Sequence, residues 1–229
     1  DRKTLENAKL ILYGGYDFEP SIAKLFKSSS LPSVKVAVHE IAVPTPIKGE
    51  HHDHGGEAEA PDGGEAEALD PHVWHDAQNG VKMVETISKS LTQVAPENAA
   101  LYAKNAQALN QELSQVDTWI KTQVATIPPN SRKLVTTHDA LGYYAKAYGI
   151  PVEGALGGIS TAEKPTASRV AELVQIIQKA KVPTIFAERT LNPKLIETVA
   201  KEAKVKLSEQ ELFVDGLGEP GSIGETYTK

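Results

Sequence analysis

The chain has 229 residues, with 24 basic and 30 acidic side chains, a formal net charge of -6 and no cysteine. The acidic balance argues against a nucleic-acid partner, and the lack of cysteine excludes disulfides and thiolate metal ligands. No apolar run reaches the roughly 18 residues typical of a membrane-spanning helix, so the sequence predicts none. The length allows one large domain or two lobes.

The first 95 residues begin with a strand–helix–strand pattern. Ala8–Tyr13 is a short apolar run typical of a buried strand, and Val34–Val38 alternates like a second strand. Glu19–Lys27, between them, predicts a helix with one apolar side. Strand, helix and strand joined by short loops form the parallel βαβ unit. We therefore expect residues 1–95 to form an N-terminal lobe.

Residues 44–69 have a different composition from the rest of this lobe. His51, His52 and His54 stand among acidic residues and glycines, followed by alternating Glu and Ala. Such a composition cannot form a packed core, so we interpret the segment as a flexible surface loop. Imidazole is a favoured ligand of transition metals, so the three histidines predict a weak, exchangeable metal site. A solvated acidic linker is the alternative.

The longest helical pattern covers residues 96–127 and follows a shorter helix over Gln78–Leu91. Its apolar positions recur every three or four residues, as on one face of a helix. They are Tyr102, Ala106, Leu109, Leu113, Val116, Ile120, Val124 and Ile127. Pro96 suits a first helical turn, and Pro128-Pro129 ends the pattern. Because strand-and-helix patterns lie on both sides, we interpret this as a rigid helix linking two lobes, with an ordinary bundle helix as the alternative.

Residues 128–229 alternate between strands and helices again. Predicted strands cover Lys133–Thr137, Pro151–Ala155, Pro183–Ala187 and Val205–Leu207. Predicted helices cover Asp139–Tyr148, Thr166–Lys181 and a segment from Asn192-Pro193 to Ala203. The expected fold class is therefore α/β, with two βα lobes of mostly parallel sheets joined by one long rigid helix.

Side chains able to bind metal fall where such folds bind ligands. In open parallel sheets, ligands gather beyond the carboxyl ends of the strands. His138 and Glu188 stand at such ends, and Asp215 follows an apolar segment in the same way. His72 comes from the first lobe, and we expect it to face His138 across a cleft. Two imidazoles and a carboxylate suit zinc or manganese. For Glu188, a supporting or ion-pairing role is favoured over direct ligation.

Five motifs in the chain occur together and in one order. They are Asp70-Pro71-His72-Val73-Trp74, Thr137-His138-Asp139-Ala140-Leu141-Gly142-Tyr143-Tyr144, Gly158-Ile159-Ser160-Thr161, Ile185-Phe186-Ala187-Glu188, and Leu212-Phe213-Val214-Asp215 before a Gly-rich turn. Over nearly its whole length the chain resembles the metal-binding solute receptors of ABC importers, in their zinc and manganese branch. The resemblance implies that His72, His138 and Asp215 are the metal ligands. It also implies a closed coordination shell, which binds and carries a metal instead of performing catalysis.

The resemblance has further implications for metal, partner and location. Manganese receptors of the family tend to carry Glu where His138 stands, and imidazole there suits zinc better, so zinc is expected before manganese. The expected partners are the metal ion and the membrane subunits of an ABC permease. We expect a monomer in the periplasm or otherwise outside the cytoplasm, with a lipid anchor in the full-length protein. The family's upstream Asp-Pro-His motif and final helix are not found, so we expect an incomplete copy of the receptor. Partial substitution of the missing ligand by His75 is the disfavoured alternative.

Two other functions stay open on the residues alone. A zinc-dependent hydrolase would use Glu188 as general base, but the chain lacks the His-Glu-x-x-His, Gly-x-Ser-x-Gly and Walker motifs. A receptor for a metal chelate such as a siderophore would need a cleft lined by arginines and aromatics. The sequence has few arginines with which to line one: Arg2, Arg132, Arg169 and Arg189.

Overall fold

The protein is described by a computed structural model. It covers residues 2–28, 31–49, 69–161 and 165–229. Two compact units are present: one consists of Asp1–Pro46 and Val73–Lys121, and the other of Ile47–His72 and Thr122–Lys229. The predicted domain bounds stay a prediction. Residues 50–68, which include His51, His52 and His54, lie outside the described residues, as does most of the predicted loop 44–69.

The first unit contains the predicted βαβ arrangement. Its helices and strands are α1 (Arg2–Asn7), β1 (Leu10–Tyr13), α2 (Pro20–Ser28), β2 (Val34–Ala37), α3 (Val38–Ala42) and α4 (Ala77–Val94). The two strands pair in parallel, with Leu10 opposite Val34 and Tyr13 opposite Ala37. Helix α3 was not predicted, because the apolar alternation of β2 runs directly into its first residue. Helix α4 begins after Asp76, whose side chain accepts a hydrogen bond from the backbone N–H of Gln78 at 2.9 Å.

Helix α5 (Ala99–Thr126) is 28 residues long and passes from the first unit into the second. A single 3-10 turn at Pro96–Asn98 precedes it, so the predicted helix over residues 96–127 is confirmed with slightly shorter bounds. The buried positions follow a helical period, but they are not all apolar. Asp117 is only 6% exposed, whereas Leu109, one of the apolar positions of the predicted helix face, is 40% exposed.

The second unit alternates strands and helices, as predicted. They are β3 (Leu134–His138), α6 (Gly142–Tyr148), β4 (Val152–Gly157), α7 (Ala167–Ala180), β5 (Thr184–Ile185), α8 (Lys194–Ala203) and β6 (Lys206–Leu207). Strands β3 and β4 pair in parallel, and so do β5 and β6. A parallel bridge joins Glu188 to Leu212 just beyond them. The predicted α/β class, with parallel strands and one long helix, is confirmed.

The core of the second unit lies where helices α7 and α8 pack on the strands. Its fully buried side chains include Val135, Leu156, Leu173, Ile177, Ile185, Ile196 and Val199. A smaller cluster contains Leu134, Ala140, Leu141 and Val214. Both clusters anchor residues next to the candidate site, because β3 ends at His138 and Val214 directly precedes Asp215. Among the described helices, none combines the length and apolar character needed to cross a membrane.

Candidate metal centre

His138 is the last residue of β3 and is held by the carboxylate of Glu188. Every residue of β3 is buried, and His138 itself is 2% exposed. One oxygen of Glu188 accepts the backbone N–H groups of Thr137 and His138, at 3.0 and 2.8 Å. The other oxygen contacts Nδ1 of the His138 ring at 2.5 Å. Because a carboxylate only accepts hydrogen bonds, Nδ1 carries a proton, so in the neutral ring the lone pair is on Nε2.

His72 has a similar arrangement with Asp70, two residues before it. Oδ1 of Asp70 accepts the backbone N–H of His72 at 2.9 Å and contacts the ring Nδ1 at 2.8 Å. Both residues are buried, with 2% of His72 and 4% of Asp70 exposed. The same reasoning assigns the ring proton to Nδ1 and the lone pair to Nε2. Metal-binding histidines commonly donate their second ring N–H to a carboxylate in this way.

Asp215 stands opposite both imidazoles. Its Oδ1 lies 3.6 Å from Nε2 of His72, and its Oδ2 lies 3.4 Å from Nε2 of His138. The two imidazole rings are 5.3 Å apart between centroids and almost perpendicular, at 69°. One donor atom from each of the three residues lies within 4.8 Å of the others. Asp215 is the most accessible of the three, with 20% of its side chain exposed.

The local chain explains how Asp215 reaches this position. The bridge between Glu188 and Leu212 is supported by two backbone hydrogen bonds, from Leu212 N–H to Ala187 and from Arg189 N–H to Leu212, at 2.9 and 3.0 Å. The segment that carries Asp215 is thereby attached to the segment that carries Glu188. Val214, which directly precedes Asp215, is buried and anchors this end of the segment.

The donor set fits a divalent cation. Nε2 of His138 is buried and has no hydrogen-bond partner in the described part of the chain. A buried polar atom without a partner is costly, and a bound metal ion would satisfy it. Two imidazole nitrogens and a carboxylate oxygen are ligands that zinc accepts, at about 2.0–2.2 Å. Asp70, Glu188 and Asp215 also supply three carboxylates around two imidazoles, an excess of negative charge that favours a cation.

In the absence of metal, a proton can bind Nε2 of His138. Burial alone lowers the pKa of His138, because it penalises the charged imidazolium. The carboxylates of Asp215 and Glu188 outweigh this effect and raise the pKa from 6.5 to about 9. His138 of the metal-free site is therefore charged at neutral pH, with a second proton on Nε2 beside Asp215.

The structure brings the three predicted ligands together and puts Glu188 in contact with one of them. Among the described residues, only His72, His138 and Asp215 are grouped closely enough to hold a metal. His75 is not part of this group; it lies in the 3-10 turn Val73–His75 of the first unit, with its ring beside Trp74. The role of Asp70 was missed from the sequence, although its position two residues before a histidine was a usable signal.

An α/β fold of parallel strand pairs carrying a His, His and Asp cluster defines a candidate metal-binding protein. The family model described as ZnuA, zinc-uptake complex component A, periplasmic, matches residues 1–229. The chain therefore belongs to this family, and the family predicted from the motifs is confirmed.

Named relatives bind either zinc or manganese. The zinc-binding protein TroA of Treponema pallidum is 33% identical over 232 residues, covering 99% of this chain and 70% of the relative. The manganese-binding lipoprotein MntA of Halalkalibacterium halodurans is 34% identical over 163 residues, covering 71% of this chain. That match spans 54% of MntA, or about half of its length.

Solved structures have the same fold. The periplasmic zinc-binding protein TroA of Treponema pallidum superposes with a TM-score of 0.84 at 31% identity, covering 100% of this chain and 78% of that chain. A manganese-bound periplasmic metal-binding protein of Candidatus Liberibacter asiaticus gives a TM-score of 0.81 at 25% identity, with coverage of 100% and 78%.

Proposed function

We propose that the chain binds a zinc ion through His72, His138 and Asp215 and delivers it to the membrane subunits of an ABC-type importer. The observation that carries this proposal is the pair of carboxylate-held imidazoles. Asp70 and Glu188 each occupy Nδ1 of one histidine, so both Nε2 atoms are directed toward Asp215. Orientation by outer carboxylates is typical of metal ligands and strengthens binding.

Zinc is proposed before manganese because of the donor set. Two imidazole nitrogens suit zinc well, whereas manganese favours sites richer in oxygen ligands. Manganese is the alternative, since relatives named for each metal match the chain at similar identity. Affinity order alone does not determine which metal is carried in a cell.

Binding and transfer, not catalysis, is the proposed activity. The family is described as a periplasmic component of a zinc-uptake complex, which does not support the hydrolase alternative. Relatives named as lipoproteins or periplasmic proteins support a location outside the cytoplasm. A lipid anchor on the full-length protein, a monomeric state and docking to permease subunits are parts of the same proposal.

Metal titration tests the proposal directly. Protein stripped with a chelator is titrated with zinc and, separately, with manganese, by calorimetry and by competition with a chelator of known affinity. We expect one tight zinc per chain and weaker manganese binding. Replacing an outer partner of a ligand typically lowers metal affinity 10–100-fold, and replacing the ligand itself should lower it further. We therefore expect His138→Ala to weaken zinc binding by at least about 100-fold. Unchanged zinc affinity in His138→Ala would refute the assignment of this site.

A matched carboxylate pair provides the control. Asp215→Asn removes the charged ligand, whereas Glu219→Gln makes the same chemical change at an exposed residue four positions later. We expect weakened zinc binding only in Asp215→Asn. Equal effects of the two variants would indicate a general loss of charge instead of a lost ligand.

A further inference from the structure

The side chain of Tyr143 lies at a junction between two segments that carry predicted ligands. Tyr143 is in the first turn of α6, five residues after His138, and is 5% exposed. Its hydroxyl donates a hydrogen bond to the backbone carbonyl of Asp70 at 3.2 Å. The same oxygen accepts the backbone N–H of Ile47 at 3.0 Å. A single buried hydroxyl therefore joins three separate parts of the chain.

These bonds belong to a closed arrangement around Asp70. The backbone N–H of Asp70 donates to the carbonyl of Ile47 at 2.9 Å, and an antiparallel bridge joins Lys48 to Leu69. Both backbone polar groups of Asp70 are thus engaged, the N–H by Ile47 and the carbonyl by Tyr143. Because Pro71 follows, the backbone of Asp70 is also confined to extended conformations.

Fixing this backbone fixes the side chain that holds His72. The Asp70 carboxylate contacts both the backbone N–H and the ring Nδ1 of His72. Its second oxygen lies close to Gly142, where an added Cβ would be 3.0 Å away. The carboxylate is therefore confined on two sides, by His72 and by the start of the helix that carries Tyr143.

We propose that Tyr143 is a positioning residue that sets the orientation of the His72 imidazole through Asp70. Its importance for metal capture rests on the proposed function, but its effect on His72 does not. Tyr143 follows His138 on the same short segment, so its bond to Asp70 also fixes the position of one imidazole relative to the other. A tyrosine that never contacts the metal would then help to determine how tightly the metal is held.

The first test uses metal-free protein, so it is independent of zinc binding. Imidazole ¹⁵N and Nδ1–H resonances of His72 are recorded at one pH for the parent and for Tyr143→Phe. We expect Tyr143→Phe to shift the His72 resonances and to speed exchange of the Nδ1 proton. The matched control is Tyr144→Phe, because the half-buried Tyr144 makes no hydrogen bond through its hydroxyl in the described structure. Unshifted His72 signals in folded Tyr143→Phe would overturn the inference.

A second variant disturbs Asp70 from the other side. Gly142→Ala adds a methyl group 3.0 Å from Oδ2 of Asp70 and leaves the Tyr143 hydroxyl in place. We expect the same His72 resonances to shift. This variant also keeps the test decisive if Tyr143→Phe does not fold. If the His72 resonances of Gly142→Ala are the same as those of the parent, positioning through Asp70 is contradicted.

A double-mutant cycle separates positioning from general support of the fold. Tyr143→Phe should weaken zinc binding about tenfold, and Asp70→Asn about 10–100-fold, the range for outer partners of a ligand. If Tyr143 acts through Asp70, adding Tyr143→Phe to the Asp70→Asn variant should lower zinc affinity by no more than about a further twofold. Independent, multiplied losses would overturn the inference.

The two measurements distinguish this inference from the proposed function. If the parent binds no zinc but Tyr143→Phe still shifts the His72 resonances, the proposed function is contradicted and the role of Tyr143 is supported. Tight zinc binding that depends on His138 but is unaffected by Tyr143→Phe would contradict the inference and leave the proposed function supported.

Discussion

Glu188 holds His138 at both its backbone and its ring, across 50 residues of sequence. Oε1 accepts the His138 backbone N–H at 2.8 Å, and Oε2 contacts Nδ1 at 2.5 Å. The side chain of Glu188 is completely buried, so neither contact is weakened by competing water. This carboxylate therefore fixes the end of β3, the ring tautomer and the direction of Nε2 together.

The first prediction concerns the charge of this carboxylate. Glu188→Gln keeps an oxygen that can accept backbone N–H groups but removes the negative charge beside His138. We expect a 10–100-fold loss of zinc affinity, typical of outer partners of a metal-bound histidine. Chelator competition measures the loss. Glu211→Gln is the control, because Glu211 is exposed and its salt bridge with Arg189 is 3.4 Å long. A loss below about threefold in Glu188→Gln would contradict the prediction.

The second prediction concerns the stability of metal-free protein against pH. The pKa of His138 is raised from 6.5 to about 9, so the native state holds this proton more tightly than the unfolded chain. The stabilisation is full below about pH 6.5 and is lost as the pH rises through about 9. The difference of about 2.5 between the two pKa values corresponds to about 3 kcal/mol of stability.

Thermal unfolding of metal-free protein between pH 6 and 9.5 measures this effect. The unfolding midpoint of the parent should fall across that window. His138→Gln should start lower at pH 6.5 and show a flatter curve, because the titrating group is gone. A parent curve that rises between pH 6.5 and 9 would contradict the raised pKa.

The third prediction is that zinc and a proton compete for the site. Zinc needs the Nε2 lone pair of His138, and this nitrogen is protonated at neutral pH in the metal-free protein. Binding at pH 7.5 should therefore release about one proton, and zinc affinity should rise about tenfold per pH unit between 6.5 and 8.5. Calorimetry in buffers of different ionisation enthalpy counts the proton. A binding enthalpy that is the same in every buffer would contradict the prediction.

The sequence was informative about the site because the three predicted ligands follow recognisable local patterns. His138 ends a fully buried strand, and Asp215 follows an apolar segment that reaches the same region. The partners of these residues were harder to predict. A supporting role for Glu188 was favoured from the sequence, but its contact with the ring of His138 joins residues 50 positions apart, and no local pattern encodes that pairing. The contact between Tyr143 and Asp70 spans 73 residues and was equally hidden.

The predicted helices and strands were accurate where periodicity is strong, as in α5 and α7. Thr166 caps α7 through its side chain, and Gly149 ends α6 with a positive φ of 69°, both as local sequence rules suggest. Short elements were missed or misplaced. The predicted strand Pro183–Ala187 is only two residues long in the structure, because its last residues leave the pairing with β6 before Glu188 meets Leu212.

The last prediction comes from the polar residue in the buried stripe of α5. Asp117 is 6% exposed; one of its oxygens contacts Lys121 Nζ at 2.7 Å, and the other has no hydrogen-bond partner in the described part of the chain. Burying a carboxylate that has one unpaired oxygen is costly, and Lys121 stays solvated without it because 54% of its side chain is exposed. Asp117→Leu should therefore be at least as stable as the parent in urea unfolding. Lys121→Gln leaves the buried Asp117 carboxylate without its cationic partner and should lose about 1–3 kcal/mol of stability.

Glu112→Leu, on the exposed side of the same helix, is the control and should change stability by less than about 0.5 kcal/mol. A loss above about 1 kcal/mol in Asp117→Leu would show that the carboxylate stabilises the helix.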